Sequence, residues 1–171
     1  IEILVRKLRR KHDSKINKKF YFWSTIIIIV LLIILGYAKA QSPQAQAKKE
    51  AYLVAKKYGN VRKVEDFYVF NRKQTYYTIY GTNARGQEVY VITSQNGKKV
   101  NIYAQNKGIS VNKAKNIVRV ERNPKKITKT SLGLVNNKPA WEVTYLNNQN
   151  NICYDLISFK TGKIIKSIQN I

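Results

Sequence analysis

The sequence is poor in the residues that most often carry chemistry. Its 171 positions hold one cysteine, one histidine and 9 Asp+Glu against 32 Lys+Arg. A lone Cys153 excludes an internal disulfide framework. With His12 as the single histidine, a protein-built zinc site or a histidine-dependent triad has no residues to draw on. His12 sits in a charged N-terminal stretch, so residues 39–171 contain no histidine. The acidic residues of that region are Glu50, Glu65, Asp66, Glu88, Glu121, Glu142 and Asp155. None is spaced as a catalytic carboxylate pair, and the adjacent Glu65 and Asp66 would point to opposite faces of a strand. No catalytic, cofactor-binding or metal-binding residue is assigned, and a non-enzymatic protein is expected. The length suits one or two small domains. An apolar share of 44% argues against wholesale disorder.

Charge is also missing from one long stretch. Phe20 to Ala38 is 19 residues without a charged side chain, centred on the Ile26–Leu35 run. As a helix it would reach about 28 Å, close to the hydrocarbon thickness of a bilayer. Tyr21 and Trp23 at one end and Tyr37 at the other stand where interfacial aromatics anchor a membrane helix. Eight basic residues precede the segment, from Arg6 to Lys19, while Lys39, Lys48 and Lys49 follow closely behind. This bias places the N-terminus in the cytoplasm and residues 39–171 outside. The early basic residues also suit anionic lipid headgroups. The rival reading is a signal peptide cleaved after Ala38-Lys39-Ala40. Either way the remainder is exported, and nucleic acid is not an expected partner despite the basic composition.

The exported part contains an internal repeat. A shift of 65 puts Tyr76-Tyr77-Thr78-Ile79-Tyr80 on Trp141-Glu142-Val143-Thr144-Tyr145, and Gly97-Lys98 on Gly162-Lys163. Each copy opens with a helical pattern. In the first, Ser42-Pro43 reads as cap and first turn, Ala47, Ala51, Val54, Ala55 and Tyr58 share a face, and Gly59 is the stop. In the second, Ser110 is the cap, Val111, Ala114, Ile117 and Val118 form the stripe, and Asn123-Pro124 ends the helix. Strands are expected near 63–70, 74–82, 87–94 and 98–104, then 126–134, 139–146, 151–159 and 163–169. Asn- and Gly-containing turns join them. The expected fold class is α+β: an N-terminal transmembrane helix, then two tandem units, each a helix packed on an antiparallel sheet. The boundaries are a basic arm 1–19, a membrane helix 20–38, a first unit 39–105 and a second unit 106–171.

The second copy carries Gly108-Ile109-Ser110, Trp141-Glu142-Val143-Thr144-Tyr145-Leu146 and Phe159-Lys160-Thr161-Gly162-Lys163-Ile164-Ile165. In these motifs the chain resembles the TseB-like (YpmB-like) family of cell-wall elongation regulators, from about residue 20 onward. The first copy matches more loosely, with Tyr76 where the second has Trp141. The resemblance implies a membrane helix followed by two PepSY-like (cystatin-like) domains. It also implies a non-enzymatic role outside a Gram-positive membrane, beside an elongation-type class B penicillin-binding protein.

Three short patterns of active-serine enzymes occur: Ser110-Val111-Asn112-Lys113, Ser94-Gln95-Asn96 and Lys160-Thr161-Gly162. Their order is reversed relative to those enzymes, and 133 residues cannot hold a transpeptidase fold. They are read as a helix cap and two turns. Eight of the 32 basic and two of the 9 acidic residues lie in the first 38 positions, which leaves 24 against 7, a net of +17, beyond them. That balance fits a solvated basic surface or attraction to anionic wall polymers, lipid headgroups or an acidic protein face. Tyr76, Tyr77, Tyr80 and Tyr90 crowd the first sheet. They are core or sheet packing, or a Tyr-rich contact face for a partner. Cys153, alternating with Tyr154 on a strand, reads as a small apolar filler.

Overall fold

The computed structural model describes residues 18–169, without the side chains of Lys18 and of 37–42. The basic arm before Lys18 and the Tyr37 side chain therefore lie outside the described residues. The chain divides after Pro43 into two compact units.

A single helix, α1 (Lys18–Gly59), crosses that division. Its first part, Lys19–Gly36, has a mean hydropathy of 2.2 and no buried residue, so it is long and apolar enough to cross a membrane. Tyr21 and Trp23 are both exposed on it. The expected helix start at Ser42 is corrected, because the backbone is helical on both sides of it and Pro43 lies inside the helix. The missing proline N–H leaves the Lys39 carbonyl without its intrahelical donor.

The unit beginning at Gln44 is α+β and holds two four-stranded antiparallel meanders. Sheet 1 consists of β1 (Val61–Asn71), β2 (Thr75–Asn83), β3 (Glu88–Ser94) and β4 (Val100–Ala104), in that order. Helix α2 (Val111–Arg122) follows a short 3-10 turn. Sheet 2 is β5 (Lys126–Val135), β6 (Lys138–Leu146), β7 (Ile152–Ser158) and β8 (Ile164–Ile168), again in chain order. Asn136 and Asn137 both take positive φ, as a two-residue hairpin turn requires.

The helices end as their sequences dictate. Ser110 Oγ accepts the Lys113 N–H at 3.3 Å, and Asn123 closes α2 in the left-handed region. At the end of α1 the left-handed residue is Asn60, one beyond the predicted stop. Gly59 serves instead for close approach: a Cβ there would lie 2.6 Å from Val91 Cγ2. Ala51 and Ala55 are buried against Val61, Ile79, Val89 and Val91 of sheet 1. Tyr58, expected on this stripe, is exposed, because the helix touches the sheet along the narrower line of Ala51, Ala55 and Gly59.

The repeat is real, yet its register differs from the shift of 65. Strand β2 turns Tyr77, Ile79 and Gly81 toward α1, whereas β6 turns Trp141, Val143 and Tyr145 toward α2. The pairs Ile79↔Val91 and Val143↔Asp155 match at a shift of 64. In β1 and β5 the offset is 63, since Phe67↔Ile79 corresponds to Thr130↔Val143, so single-residue differences at the hairpins separate the copies. One residue is enough to exchange the two faces of a strand. Tyr77, not Tyr76, therefore stands where the second copy has Trp141.

Sheet 1 uses both faces. One carries α1; the other receives the edge strand β5, which crosses β1, β2 and β3. Phe70 lies on Gly133 so closely that a Cβ there would fall 2.2 Å from the ring's Cγ. Thr78, fully buried, donates its hydroxyl to the Leu132 carbonyl at 2.7 Å, giving that edge-strand oxygen the partner a neighbouring strand would otherwise supply. Trp141 packs edge-on against Tyr68 and Tyr90, both at 5.5 Å between centroids, and Tyr90 meets Phe159 likewise. The Trp141 indole N–H reaches the Ile109 carbonyl at 2.9 Å, which ties β6 to the entry of α2. One apolar core thus spans both sheets. Beneath the end of α2, the fully buried Asp155 accepts from Arg122 Nε at 2.8 Å and from the Ser167 hydroxyl.

Candidate functional site

Strand alternation separates the four tyrosines proposed as a contact face. Tyr76 and Tyr90 are buried, at 5% and 1% exposure, in the core shared with sheet 2, so neither is available to a partner in this state. Tyr80 stacks on Tyr90 at 4.8 Å and is half-buried on the same side. Tyr77 points the other way and stacks on Phe67 beside α1. The set does not form one surface.

The tyrosine layer has acidic neighbours. Burial, with Asp66 alongside, pushes the Tyr68 hydroxyl well above its ordinary range, and burial raises Tyr90 strongly too. Burial and a hydrogen bond to Glu88 push Tyr80 up to about 12. Glu65, Asp66 and Glu88 all lie toward this end of sheet 1, since Asp66 pairs with Tyr80 and Thr82 with Glu88. The opposite end, formed by the β1–β2 and β3–β4 turns, carries Arg72, Lys73, Lys98 and Lys99. The acidic end also carries Arg62, Lys63 and Arg85, with Lys63 paired to Glu65, so it is close to neutral while the opposite end is cationic.

At the cationic end a cleft of about 820 Å³ opens between the β1–β2 turn and the outer face of sheet 2. Its floor comes from β6 and β7, where register sets Glu142 beside Leu156 and Thr144 beside Tyr154. Lys129 on β5 and Lys166 on β8 flank that floor, and Lys73 and Lys99 reach it from sheet 1. Arg72 crosses the gap. Its Nε donates to Glu142 Oε2 at 2.6 Å, and its guanidinium lies 5.3 Å from the centre of the Tyr154 ring. Sequence reasoning did not single out Arg72, Tyr154 or Lys166. The available signal was alternation around Trp141, which sends Glu142 and Thr144 to the face away from α2. A second hollow, of about 480 Å³, adjoins the cleft at Lys73, Gln74 and Lys99.

The three active-serine patterns hold local structure together. Ser110 caps α2. Ser94 Oγ pairs with Asn96 Oδ1 at 2.7 Å and accepts the Lys99 N–H inside a turn. Thr161 and Gly162 close the β7–β8 turn, with Gly162 at positive φ. Cys153 is buried beside Tyr145. Among the described residues no three His, Cys, Asp or Glu side chains are grouped to hold a metal.

The family model for a cell wall elongation regulator TseB-like domain matches residues 46–94, and that for a peptidase propeptide and YPEB domain matches 108–168. The probable cell wall elongation regulator TseB of Bacillus subtilis (strain 168) is 30% identical over 133 residues, covering 77% of this chain and 83% of that protein. The solved structure of the YpmB protein from Bacillus subtilis superposes with a TM-score of 0.63 at 32% identity, covering 71% of this chain and 95% of that one.

Proposed function

Because the chain belongs to the TseB-like family of cell wall elongation regulators, we propose that it is a membrane-anchored regulator that works outside the membrane without bond-making chemistry. Its partner in this reading is an elongation-type class B penicillin-binding protein. Residues 1–19 form a cytoplasmic arm and residues 20–38 cross the bilayer. Residues 39–105 and 106–171 are two PepSY-like modules held near the outer leaflet, where tethering raises their effective concentration beside membrane-bound wall enzymes. The observation that carries this reading is the likeness to a regulator over most of both chains.

Chemical crosslinking in intact cells tests the proposal, with recovery of a class B penicillin-binding protein expected. Repeated recovery of no wall-synthesis protein overturns it. Topology has its own check: protease added to osmotically protected cells should remove everything beyond the membrane helix.

The net charge of +17 beyond residue 38 favours a second reading, in which the basic surface binds anionic wall polymer or lipid. That reading requires affinity for teichoic acid or anionic vesicles that falls steeply with salt. The propeptide likeness of residues 108–168 supports a third, inhibition of a peptidase, which a direct inhibition assay decides.

A further inference from the structure

We propose that the cleft between the two sheets is a docking groove for an extended, acidic peptide segment of the protein partner. The proposal rests on the reading that the chain acts by protein contact, and it adds where and through what chemistry.

The charges in the groove are unbalanced. Glu142 is already engaged by Arg72, whereas Lys73, Lys99, Lys129 and Lys166 form no ion pair with any described carboxylate. They come from four separate segments, so the fold rather than a local run of sequence assembles them. Cations gathered around one concave opening repel each other and focus a positive potential that an anionic ligand relieves. Attraction of this kind reaches over a Debye length of about 8 Å at physiological salt.

Groove dimensions favour an extended chain. Lys129 and Lys166 stand on the two outermost strands of sheet 2, three strand spacings apart, which leaves a channel roughly 14 Å wide. Between them the floor presents the half-buried ring of Tyr154, with Leu156 almost fully buried beside it, a narrow apolar strip flanked by charge. The rim carries the side-chain amides of Asn71, Gln74, Asn136 and Asn137, which both donate and accept. A peptide uses all three features: carboxylates for the lysines, apolar side chains for the floor and backbone groups for the amides. A polyol phosphate chain would use the lysines alone, with no counterpart for the apolar strip.

The test compares three probes on the full chain held in neutral-lipid nanodiscs. They are a fluorescein-labelled octapeptide alternating Glu and Val, its twin with Gln for Glu, and a glycerol phosphate oligomer of equal charge. The acidic peptide should bind at least tenfold more tightly than the Gln twin. The double reversal Lys129→Glu/Lys166→Glu, at two exposed positions, should weaken it at least tenfold. Lys107→Glu/Lys113→Glu, an equal charge change outside the cleft, should leave it within about twofold, and circular dichroism should show both variants folded. The proposal is overturned if the acidic peptide fails to bind or ignores the cleft reversal. Stronger, cleft-dependent binding of the glycerol phosphate oligomer also overturns it and makes the groove a polymer site. Crosslinking in cells separates this proposal from its premise. Undiminished capture of a wall-synthesis protein by the Lys129→Glu/Lys166→Glu chain removes the groove and leaves the regulator standing. Capture of none by the unaltered chain, with the titrations as expected, removes the regulator and leaves an acidic-peptide groove.

Discussion

Adding one methyl group at Gly133 tests how the two sheets are joined. A Cβ there would lie 2.2, 2.4 and 2.6 Å from Cγ, Cδ1 and Cβ of Phe70. Carbon atoms rest comfortably at about 3.5–4.0 Å, so the ring must retreat by more than about 1 Å. Phe70 is 1% exposed, and the crowded atoms are the root of its side chain, which moves only with its backbone. Over-packing of this kind costs about 1–3 kcal/mol, and the upper part of that range applies. Restricting the unfolded chain returns about 0.4–1 kcal/mol, since Gly133 does not have positive φ. The net expectation is a loss of about 2 kcal/mol, or about 7 °C in Tm for a unit of about 130 residues. Unfolding of the full chain in detergent can be followed by Trp141 fluorescence in a Trp23→Phe background. Phe70→Ala removes the two nearest of these atoms, Cγ and Cδ1, so its combination with Gly133→Ala should be less harmful than the sum of the two by at least about 1 kcal/mol. A neutral Gly133→Ala, or strict additivity with Phe70→Ala, would refute the packing of sheet 1 on β5.

Three further outcomes are expected. Thr78→Val keeps the shape but leaves the Leu132 carbonyl buried without its donor, and should cost about 1–3 kcal/mol in urea unfolding. Arg122→Ala strands the fully buried Asp155 with Ser167 alone; about 3 kcal/mol should be lost, the low end for such pairs because Arg122 is a third exposed, and Arg122→Ala/Asp155→Ala should be less harmful than the sum. Tyr80 has a folded pKa raised to about 12, so its contribution is complete below about 10, the ordinary tyrosine value, and is lost as pH climbs from there toward 12. Tyr68 and Tyr90 are shifted the same way. Absorbance at 295 nm should show these three ionising only together with loss of near-ultraviolet dichroism, and early ionisation of all tyrosines in the folded protein would contradict the burial.

Features governed by neighbours in sequence were legible before any coordinates. Ser110, Asn123 and the Asn- and Gly-bearing turns each act through backbone groups a few residues away, and their geometry is that of the structure. The eight strands fall within a few residues of the expected spans for the same reason. Misreadings arose where one residue changes a face. Gapless superposition at the Gly97/Gly162 offset of 65 overlooked that β2 and β6 correspond at 64, and so matched Tyr76, rather than Tyr77, to Trp141. Ser42-Pro43 has the composition of a helix start, yet in the structure the helix runs through it, a continuation those two residues do not reveal. The tyrosines could not be sorted until register separated Tyr77 from Tyr76 and the arrival of β5 enclosed Tyr90. The groove was the least visible feature, because Arg72, Glu142 and Tyr154 meet only after two sheets have been docked.

The seating of β5 against Thr78 and Phe70 has a bearing on how this duplication persists. Released alone, the C-terminal half would display a bare hydrogen-bonding margin and an uncovered Trp141, an invitation to stack into filaments. Each half thus supplies the lid that shields its sibling from strangers.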